Sequence, residues 1–318
     1  MLASSVCVED WIEHFSTMCA DLGCECVLDE PLSAHTSFGV GGPADAFVAP
    51  ASVRQLTAVG RFCASESAPL FILGNGTNVI ANDRGFRGVV ATLKRLEYET
   101  NAATNGEIVP AGRPLPALVD ETVKRGLSGL EALIGIPGTV GGAIFVNAGS
   151  YGRSIWDSLA KVWLMLGDGS VDFYPASDIP ASYRNSGIIP GEIVLGATFE
   201  LAQLDPDETV EAARDFSRRR VESQPISERS AGCVFKNPDA GSAGSAGMLI
   251  DRAGLKGLRI GGSRVSDKHA NFIVNEARAW AADIVSLIRI MRDEVKTFAG
   301  VELALEVQVL GEHGFLEI

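Results

Sequence analysis

Between Gly135 and Gly152 the chain reads Gly-Ile-Pro-Gly-Thr-Val-Gly-Gly-Ala-Ile-Phe-Val-Asn-Ala-Gly-Ser-Tyr-Gly, and this segment limits the possible folds more than any other. Neither a helix nor a strand favours glycine at that density. Glycine lacks a Cβ, so main-chain N–H groups can approach an anion, and positive-φ turns can aim several of them at one point. A pyrophosphate can be held in this way. A buried turn between elements would also explain the segment. A membrane span would not. The uncharged run Ala132–Val146 falls short of the ~20 residues a span requires, and it carries Pro137, Gly135, Gly138, Gly141 and Gly142.

A chain of 318 residues is expected to form two domains, each with its own core, and 46% hydrophobic with 21% charged residues fits an ordinary soluble enzyme. The start, Met1 to Phe15, carries Glu9, Asp10 and Glu13 and does not read as a signal peptide, so a cytoplasmic location is expected. A net charge of −13 argues against a nonspecific nucleic-acid or anionic-membrane binder, which needs surplus Lys and Arg. Small anionic ligands need only a local cluster. Arg218, Arg219 and Arg220 are one candidate, although a solvated helix face explains them more simply. Cys19, Cys24 and Cys26, with His14 or His35 nearby, lack the paired spacing of a zinc site. No metal is expected, and the cysteines read as reduced, packed thiols.

Residues 46–93 read as strand, helix, strand, loop and strand, with Ser52 capping a helix whose Val53, Leu56, Val59 and Phe62 share a face. After the strand Leu70–Leu73 comes a polar glycine loop, Gly74-Asn75-Gly76-Thr77-Asn78. Gly88–Leu93 and Ile108–Ala111 read as strands, and Leu115–Arg125 as a helix stopped by Gly126. Val162–Leu166, Val171–Tyr174 and Ile193–Leu201 are further strands, followed by a helix Glu208–Glu222. A domain boundary is expected between residues 204 and 205, ahead of that helix. Gly241–Ser245 reads as a flexible loop. Ala279–Phe298 carries Ile284, Leu287, Ile288, Met291, Val295 and Phe298 at helical spacing with Gly300 closing it, and a last strand spans Leu303–Leu310. The fold class is α+β.

Gly74-x-Gly76 is not the Rossmann fingerprint, since Val79 stands where its third glycine would be. Taken with the second loop, each is expected at a strand end and each carries amides, Asn75 and Asn78 in one and Asn147 in the other. The pair suggests a dinucleotide clamped between two walls. Flavin suits the apolar neighbourhood of Ile136, Val140, Ile144 and Val146.

Eight segments in order then resemble the UDP-N-acetylenolpyruvoylglucosamine reductase (MurB) family. They are His35–Asp45 (His-Thr-Ser-Phe-Gly-Val-Gly-Gly-Pro-Ala-Asp), Leu73–Asn78, Gly135–Gly142, Asn147-Ala148-Gly149, Tyr183-Arg184-Asn185-Ser186, Phe235-Lys236-Asn237-Pro238, His269-Ala270-Asn271-Phe272 and Glu306-Val307. The resemblance spans about residue 30 to about residue 313. It implies a FAD-binding region of the vanillyl-alcohol-oxidase type over residues 1–204, in two α+β lobes divided near residue 93, and an α+β substrate-binding domain over residues 205–318. It also implies that NADPH reduces the flavin and leaves, and that UDP-N-acetylglucosamine enolpyruvate then takes its place. A hydride passes from flavin N5 to the vinyl carbon, and an acid protonates the neighbouring carbon to give UDP-N-acetylmuramate for peptidoglycan synthesis. The partners are thus small molecules, with no nucleic acid or membrane.

Carried over residue by residue, Arg184 is expected against the substrate carboxylate, where its planar fork stabilises the charge that builds as hydride arrives. Glu306, on an otherwise apolar strand, is expected to polarise the enolate-like centre. Gly74, Asn75, Gly76, Thr77, Asn78, Ile136, Pro137, Gly138, Thr139, Gly141, Gly142, Asn147, Ala148 and Gly149 are expected to bind the cofactor. Tyr183, Lys236, Asn237, Lys268, His269 and Asn271 suit the diphosphate and uridine of a sugar nucleotide. FAD is expected to be noncovalent, because neither glycine loop contains a cysteine.

Two departures stand out. One subclass of the family clamps substrate with a tyrosine on an inserted loop, but the four tyrosines here are 98, 151, 174 and 183, so the chain resembles the subclass lacking the clamp. The family's frequent proton-donating serine is here Cys233, in Ala231-Gly232-Cys233-Val234-Phe235. A packed thiol is the plain alternative. As the acid, an unperturbed thiol ionises near ~8.5, and a neighbouring Arg184 is expected to favour the thiolate further. Another FAD-dependent oxidoreductase of the same fold, or a flavin or nucleotide-sugar binder without turnover, remain the alternative functions.

Overall fold

The computed structural model describes residues 8–97, 107–238 and 244–318. Helix α1 (Val8–Asp21) leads to strands β1 (Glu25–Pro31) and β2 (Pro43–Ala49), and helix α2 (Val53–Glu66) to β3 (Leu70–Ile72), β4 (Val79–Ala81) and β5 (Phe86–Ala91). The sheet order is β1–β2–β5–β3, with β1 antiparallel to β2 and the other pairs parallel. Side chains alternate between its faces. Ala46, Val48, Val89 and Ala91 pack under α1 and α2 with Phe15, Val59 and Cys63, whereas Phe47, Phe86 and Val90 face Leu32 and Leu73 on the other side. Ser52 caps α2 as expected, its hydroxyl accepting the Gln55 N–H at 3.3 Å.

The second lobe is an antiparallel sheet in the order Val171–Pro175, Leu159–Met165, Ile193–Phe199 and Val109–Pro110. Helix α3 (Leu115–Lys124) packs Leu115, Leu118 and Val119 onto it and ends before Gly126 at φ 71°. The glycine-rich segment departs from expectation here. Six of its residues form helix α4 (Val140–Phe145), capped by Thr139, whose hydroxyl accepts the Gly142 N–H at 3.3 Å. Tertiary packing overrides poor propensity: a Cβ on Gly141 would meet the Ala111 Cβ at 2.7 Å, so only glycine lets α4 lie this close. Helix α5 (Pro206–Ser223) also joins this lobe, sending Ala213 into its core and donating the Thr209 hydroxyl to the Val123 carbonyl at 2.8 Å. We therefore propose that the C-terminal unit begins after α5 rather than ahead of it, at the 204/205 boundary expected from sequence.

Beyond α5, helix α6 (Ala246–Arg252), a three-stranded sheet and helix α7 (Ala281–Ala299) surround one core. Residues 241–243 of the expected flexible loop lie outside the described residues. Ile284, Leu287, Ile288, Met291 and Val295 of α7 are fully buried, and Gly300 closes the helix at φ 68°. Phe298 does not follow them. It is 51% exposed in the last turn, with the Arg252 guanidinium 5.7 Å from its ring centroid. The final strand is also shorter than expected. Only Gln308–Leu310 is strand, and it pairs in parallel with β4 of the first lobe, Gln308 opposite Val79. The chain thus returns from the C-terminal unit to the end of the first glycine loop.

Because Leu287 is fully buried in the core shared by α6, the sheet and α7, Leu287→Ala should cost about 2–5 kcal/mol, lowering the denaturant midpoint without changing the slope of the transition. A loss under about 1 kcal/mol would show that Leu287 does not pack as tightly as its burial implies.

Candidate active site

The first glycine loop, between β3 and β4, rests directly on the second. Thr77 donates its hydroxyl to the Pro137 carbonyl at 3.3 Å, and a Cβ on Gly74 would sit 2.7 Å from the Thr139 hydroxyl. Gly76, at φ 60°, backs onto the His35 carbonyl, which a Cβ would meet at 2.2 Å. Among the described residues, the backbone N–H groups of Asn75, Gly76, Thr77, Gly138 and Thr139 find no hydrogen-bond acceptor. Such groups are costly to bury unpaired, so a row of them in two touching loops is a ready anion cradle. Asn147 adds a second sign of a missing ligand. Held at φ 47°, it donates to the Ser182 carbonyl at 2.7 Å, while its buried Oδ1 is without a partner.

The loops are not both at strand ends as expected: the second follows a 3-10 turn, Glu131–Leu133, and opens α4. Nor does the whole apolar set face the cradle. Val140 and Ile144 are fully buried in the lobe's core, which leaves Ile136 and Val146, both half-buried, to meet a ring system.

Arg184 and Glu306 meet beside the cradle. Arg184 sits at φ 54° in a tight turn closed by reciprocal Ser182–Asn185 backbone bonds. Its Nε donates to Glu306 Oε1 at 2.7 Å, and its Nη2 donates to the Gly149 carbonyl at 2.8 Å. Both side chains are 19% exposed. Nη1 has only a long contact, 3.4 Å, to the Asn147 carbonyl. Glu306 is held by its own backbone, with its N–H donating to the Val234 carbonyl at 2.8 Å and its carbonyl accepting from the Asn78 amide at 3.1 Å. Burial pushes its carboxyl above the ordinary carboxylate range, and the attraction of Arg184 and Lys236 offsets this only in part.

Cys233 belongs to the same electrostatic cluster. Burial, reinforced by the Glu306 charge, pushes its thiol up to about 12, against the weaker pull of Arg184 and Arg220. Arg184 favours the thiolate as expected, but burial and Glu306 outweigh it. Arg220 itself was read as part of a solvated face, yet it is 8% exposed, with its Nε unpaired. It donates to the Ser150 hydroxyl at 2.9 Å and the Gln224 amide oxygen at 3.0 Å, and forms no carboxylate ion pair among the described residues. Helix phase was the overlooked signal: Thr209, Ala213 and Arg220 fall on one face of α5, and all are buried.

The expected sugar-nucleotide residues divide into two groups. Tyr183 is 54% exposed, its hydroxyl accepting the Asn237 N–H at 3.4 Å, and Lys236 Nζ donates to the Arg184 carbonyl at 3.3 Å. These side chains reach the surface beside Arg184. Asn271 does not: it is 2% exposed and both ends of its amide are taken by Phe235, the N–H at 3.0 Å and the carbonyl at 2.8 Å. It braces the segment that carries Cys233. His269 lies edge-on to Phe272, accepts the Asn271 N–H at 3.3 Å, and is kept neutral by burial and by Lys256. Lys268 reaches the Val221 carbonyl at the end of α5. Among the described residues, no three His, Cys, Asp or Glu side chains are arranged to hold a metal, and His35 is occupied by Glu30 at 2.8 Å. No described helix is long and apolar enough to cross a membrane.

Comparison with known proteins gives the same picture. The chain matches the model of the UDP-N-acetylenolpyruvoylglucosamine reductase C-terminal domain over residues 224–310 and that of a FAD binding domain over residues 44–172. It is 41% identical over 285 residues to UDP-N-acetylenolpyruvoylglucosamine reductase from Carboxydothermus hydrogenoformans, covering 89% of this chain and 93% of the relative. For the enzyme of the same name from Geobacter metallireducens, identity is 40% over 300 residues, covering 94% and 99%. The crystal structure of MurB from Thermus caldophilus aligns with a TM-score of 0.77 at 38% identity, covering 90% of this chain and 98% of that one. The cofactor region matches a FAD binding domain, and the chain belongs to the UDP-N-acetylenolpyruvoylglucosamine reductase (MurB) family.

Proposed function

We propose that Arg184, Glu306 and Cys233 carry out the reduction of UDP-N-acetylglucosamine enolpyruvate to UDP-N-acetylmuramate, a peptidoglycan precursor, in an NADPH- and FAD-dependent reductase. The Arg184–Glu306 pair carries this reading, because it joins a cation and a carboxyl at 2.7 Å beside a cradle of unpaired amides. The residues present fit FAD. Asn75, Gly76, Thr77, Gly138 and Thr139 would give backbone N–H groups to its pyrophosphate, with Gly74, Asn78, Pro137, Gly141 and Gly142 shaping the cradle. The orphaned Oδ1 of Asn147, followed by Ala148 and Gly149, and the half-buried Ile136 would meet the ring. When bound, FAD carries a hydride from NADPH to the vinyl carbon of the substrate. With no cysteine in either loop, attachment is noncovalent.

Arg184 has its Nη1 weakly engaged and available to the substrate carboxylate, where it stabilises charge as hydride arrives. Arg220, a buried cation with no carboxylate partner among the described residues, strengthens the positive field at the same centre. Glu306, held against Arg184 with its carboxyl raised by burial, polarises the developing enolate. Cys233, kept protonated, delivers the proton to the carbon next to the carboxylate. Tyr183, Lys236 and Asn237 line the mouth toward the sugar nucleotide, Lys268 and His269 lie beyond them, and Asn271 acts by positioning residues 233–235. The described cysteines are all free thiols, which fits a reducing cytoplasm.

The reading is tested by separating the half-reactions anaerobically. NADPH should bleach the bound flavin and substrate should recolour it. Glu306→Gln should slow only the second step, by about 100-fold or more. Equal losses in both steps would mean a structural role for Glu306, and no recolouring by substrate in the wild type would overturn the assignment.

Cys233→Ala should slow recolouring by about 100-fold to 10,000-fold, and Cys233→Ser should retain much of the rate. Since the thiol is pushed up to about 12, it stays protonated across the working range, and the wild type and Cys233→Ser should keep parallel profiles to about pH 10. A wild-type decline centred near ~8.5 that the serine variant lacks would show an unshifted thiol. Full activity of Cys233→Ala would remove it from the chemistry.

A further inference from the structure

Four of the five described cysteines lie far in the fold from Cys233, in the small core beneath the first sheet. Cys19, Cys24 and Cys63 are buried there, and Cys26 packs against them. The end of α1 fixes the arrangement of three of these. Cys24 N–H donates to the Cys19 carbonyl at 2.8 Å, Gly23 N–H donates to the Ala20 carbonyl at 3.0 Å, and Gly23 takes φ 63°. This paired ending sets the side chains of the first and last residues of the motif against each other, and here both are cysteines. The hydrogen bond limits their Cα separation to about 6.7 Å by covalent geometry, within the span a disulfide bridges. Cys26, the second residue of β1, packs against the core that holds Cys19 and Cys24.

The three thiols differ in access and in acidity. Cys19 is 0% exposed, Cys24 6% exposed, and Cys26 half-buried at the rim. Hydrogen bonding from the Cys19 thiol holds Cys24 and Cys26 below the ordinary cysteine range and pushes Cys19 itself above it. Burial pushes Cys63 up to about 12, as it does Cys233. An oxidant acts on a thiolate that it can reach, which singles out Cys26.

We propose that Cys19, Cys24 and Cys26 form a peroxide-sensitive, thiol-reversible modification site, separate from the reductase chemistry. The Cys26 sulfur attacks a hydroperoxide oxygen; the O–O bond breaks, leaving a sulfenic acid and, with hydrogen peroxide, one water. The Cys19 sulfur then attacks the Cys26 sulfur, the S–O bond breaks, and a second water leaves. Two thiols have lost two electrons and two protons, and the peroxide has been reduced to water. Exchange with Cys24 moves the bond to Cys19–Cys24, the pair the helix end already holds at bridging distance. The bond fastens the end of α1 to the start of β1.

The test uses flavin-loaded enzyme in a Cys7→Ser background, since Cys7 lies outside the described residues. It is treated with hydrogen peroxide at one equivalent, blocked with an alkylating agent and cleaved at glutamate. Cleavage after Glu13, Glu25 and Glu30 places Cys19 and Cys24 in one peptide and Cys26 in the next. The expected product is either the first peptide lighter by two hydrogens or the two peptides joined, and dithiothreitol should reverse both. Cys26→Ser should slow the loss of thiols about tenfold or more while leaving reductase activity and flavin content unchanged. Cys19→Ser should leave Cys26 as a sulfenic acid that dimedone traps. Intact thiols at 19, 24 and 26 after treatment, or oxidation of Cys233 ahead of Cys26, would overturn the proposal.

Discussion

The buried contact between Arg184 and Glu306 is the constraint around which the rest is arranged. Two charges withdrawn from water repay their desolvation only with good geometry and further hydrogen bonds. Here the arginine is forked between Glu306 and the Gly149 carbonyl, and still burial outweighs attraction at the carboxyl. The pair is therefore a poor source of stability. It makes better sense as a site held ready for another anion, whose negative charge the arginine can stabilise.

Three distant segments must converge to build it. The turn Ser182–Asn185 presents Arg184 at positive φ, α4 and the residues after it place Asn147 and Gly149, and the segment just ahead of the C-terminal strand brings Glu306. Register controls the last of these. Gln308 N–H donates to the Asn78 carbonyl at 2.9 Å and pairs with Val79, so the strand is indexed on the residues that end the first glycine loop. Glu306, two residues ahead of that strand, is tied to the same loop by the Asn78 amide, which donates to its carbonyl at 3.1 Å. The cofactor cradle and the acid that works beside it are thus fixed by the same pairing.

Much of this was legible in the chain, where local signals agreed with tertiary demands. Helix phase in α3 and α7, the Ser52 cap and the glycine stops at Gly126 and Gly300 are local features, and they appear as expected. The errors arise where a partner far along the chain decides. Alternation over residues 303–310 suggests one strand, yet Leu305 makes only a single bridge, to Phe235, before the chain crosses to β4. Helix α4 forms in a glycine-rich stretch because Ala111 leaves no room for a side chain. Asn271 looks like a ligand residue by type, but its amide is spent on the backbone of Phe235. Arg220 carries charge in a triplet of arginines, and only the buried face of α5 distinguishes it from its neighbours.

A double-mutant cycle on the anaerobic recolouring step measures the central claim directly. Arg184→Lys keeps the charge but loses the planar fork, Glu306→Gln removes the carboxyl, and the double variant removes both. If the two side chains act as one unit on the developing enolate, each single change should cost most of the rate, and the double change should be little worse than either. Losses that simply multiply would contradict the account, because they would mean that Arg184 and Glu306 touch at 2.7 Å without sharing a function.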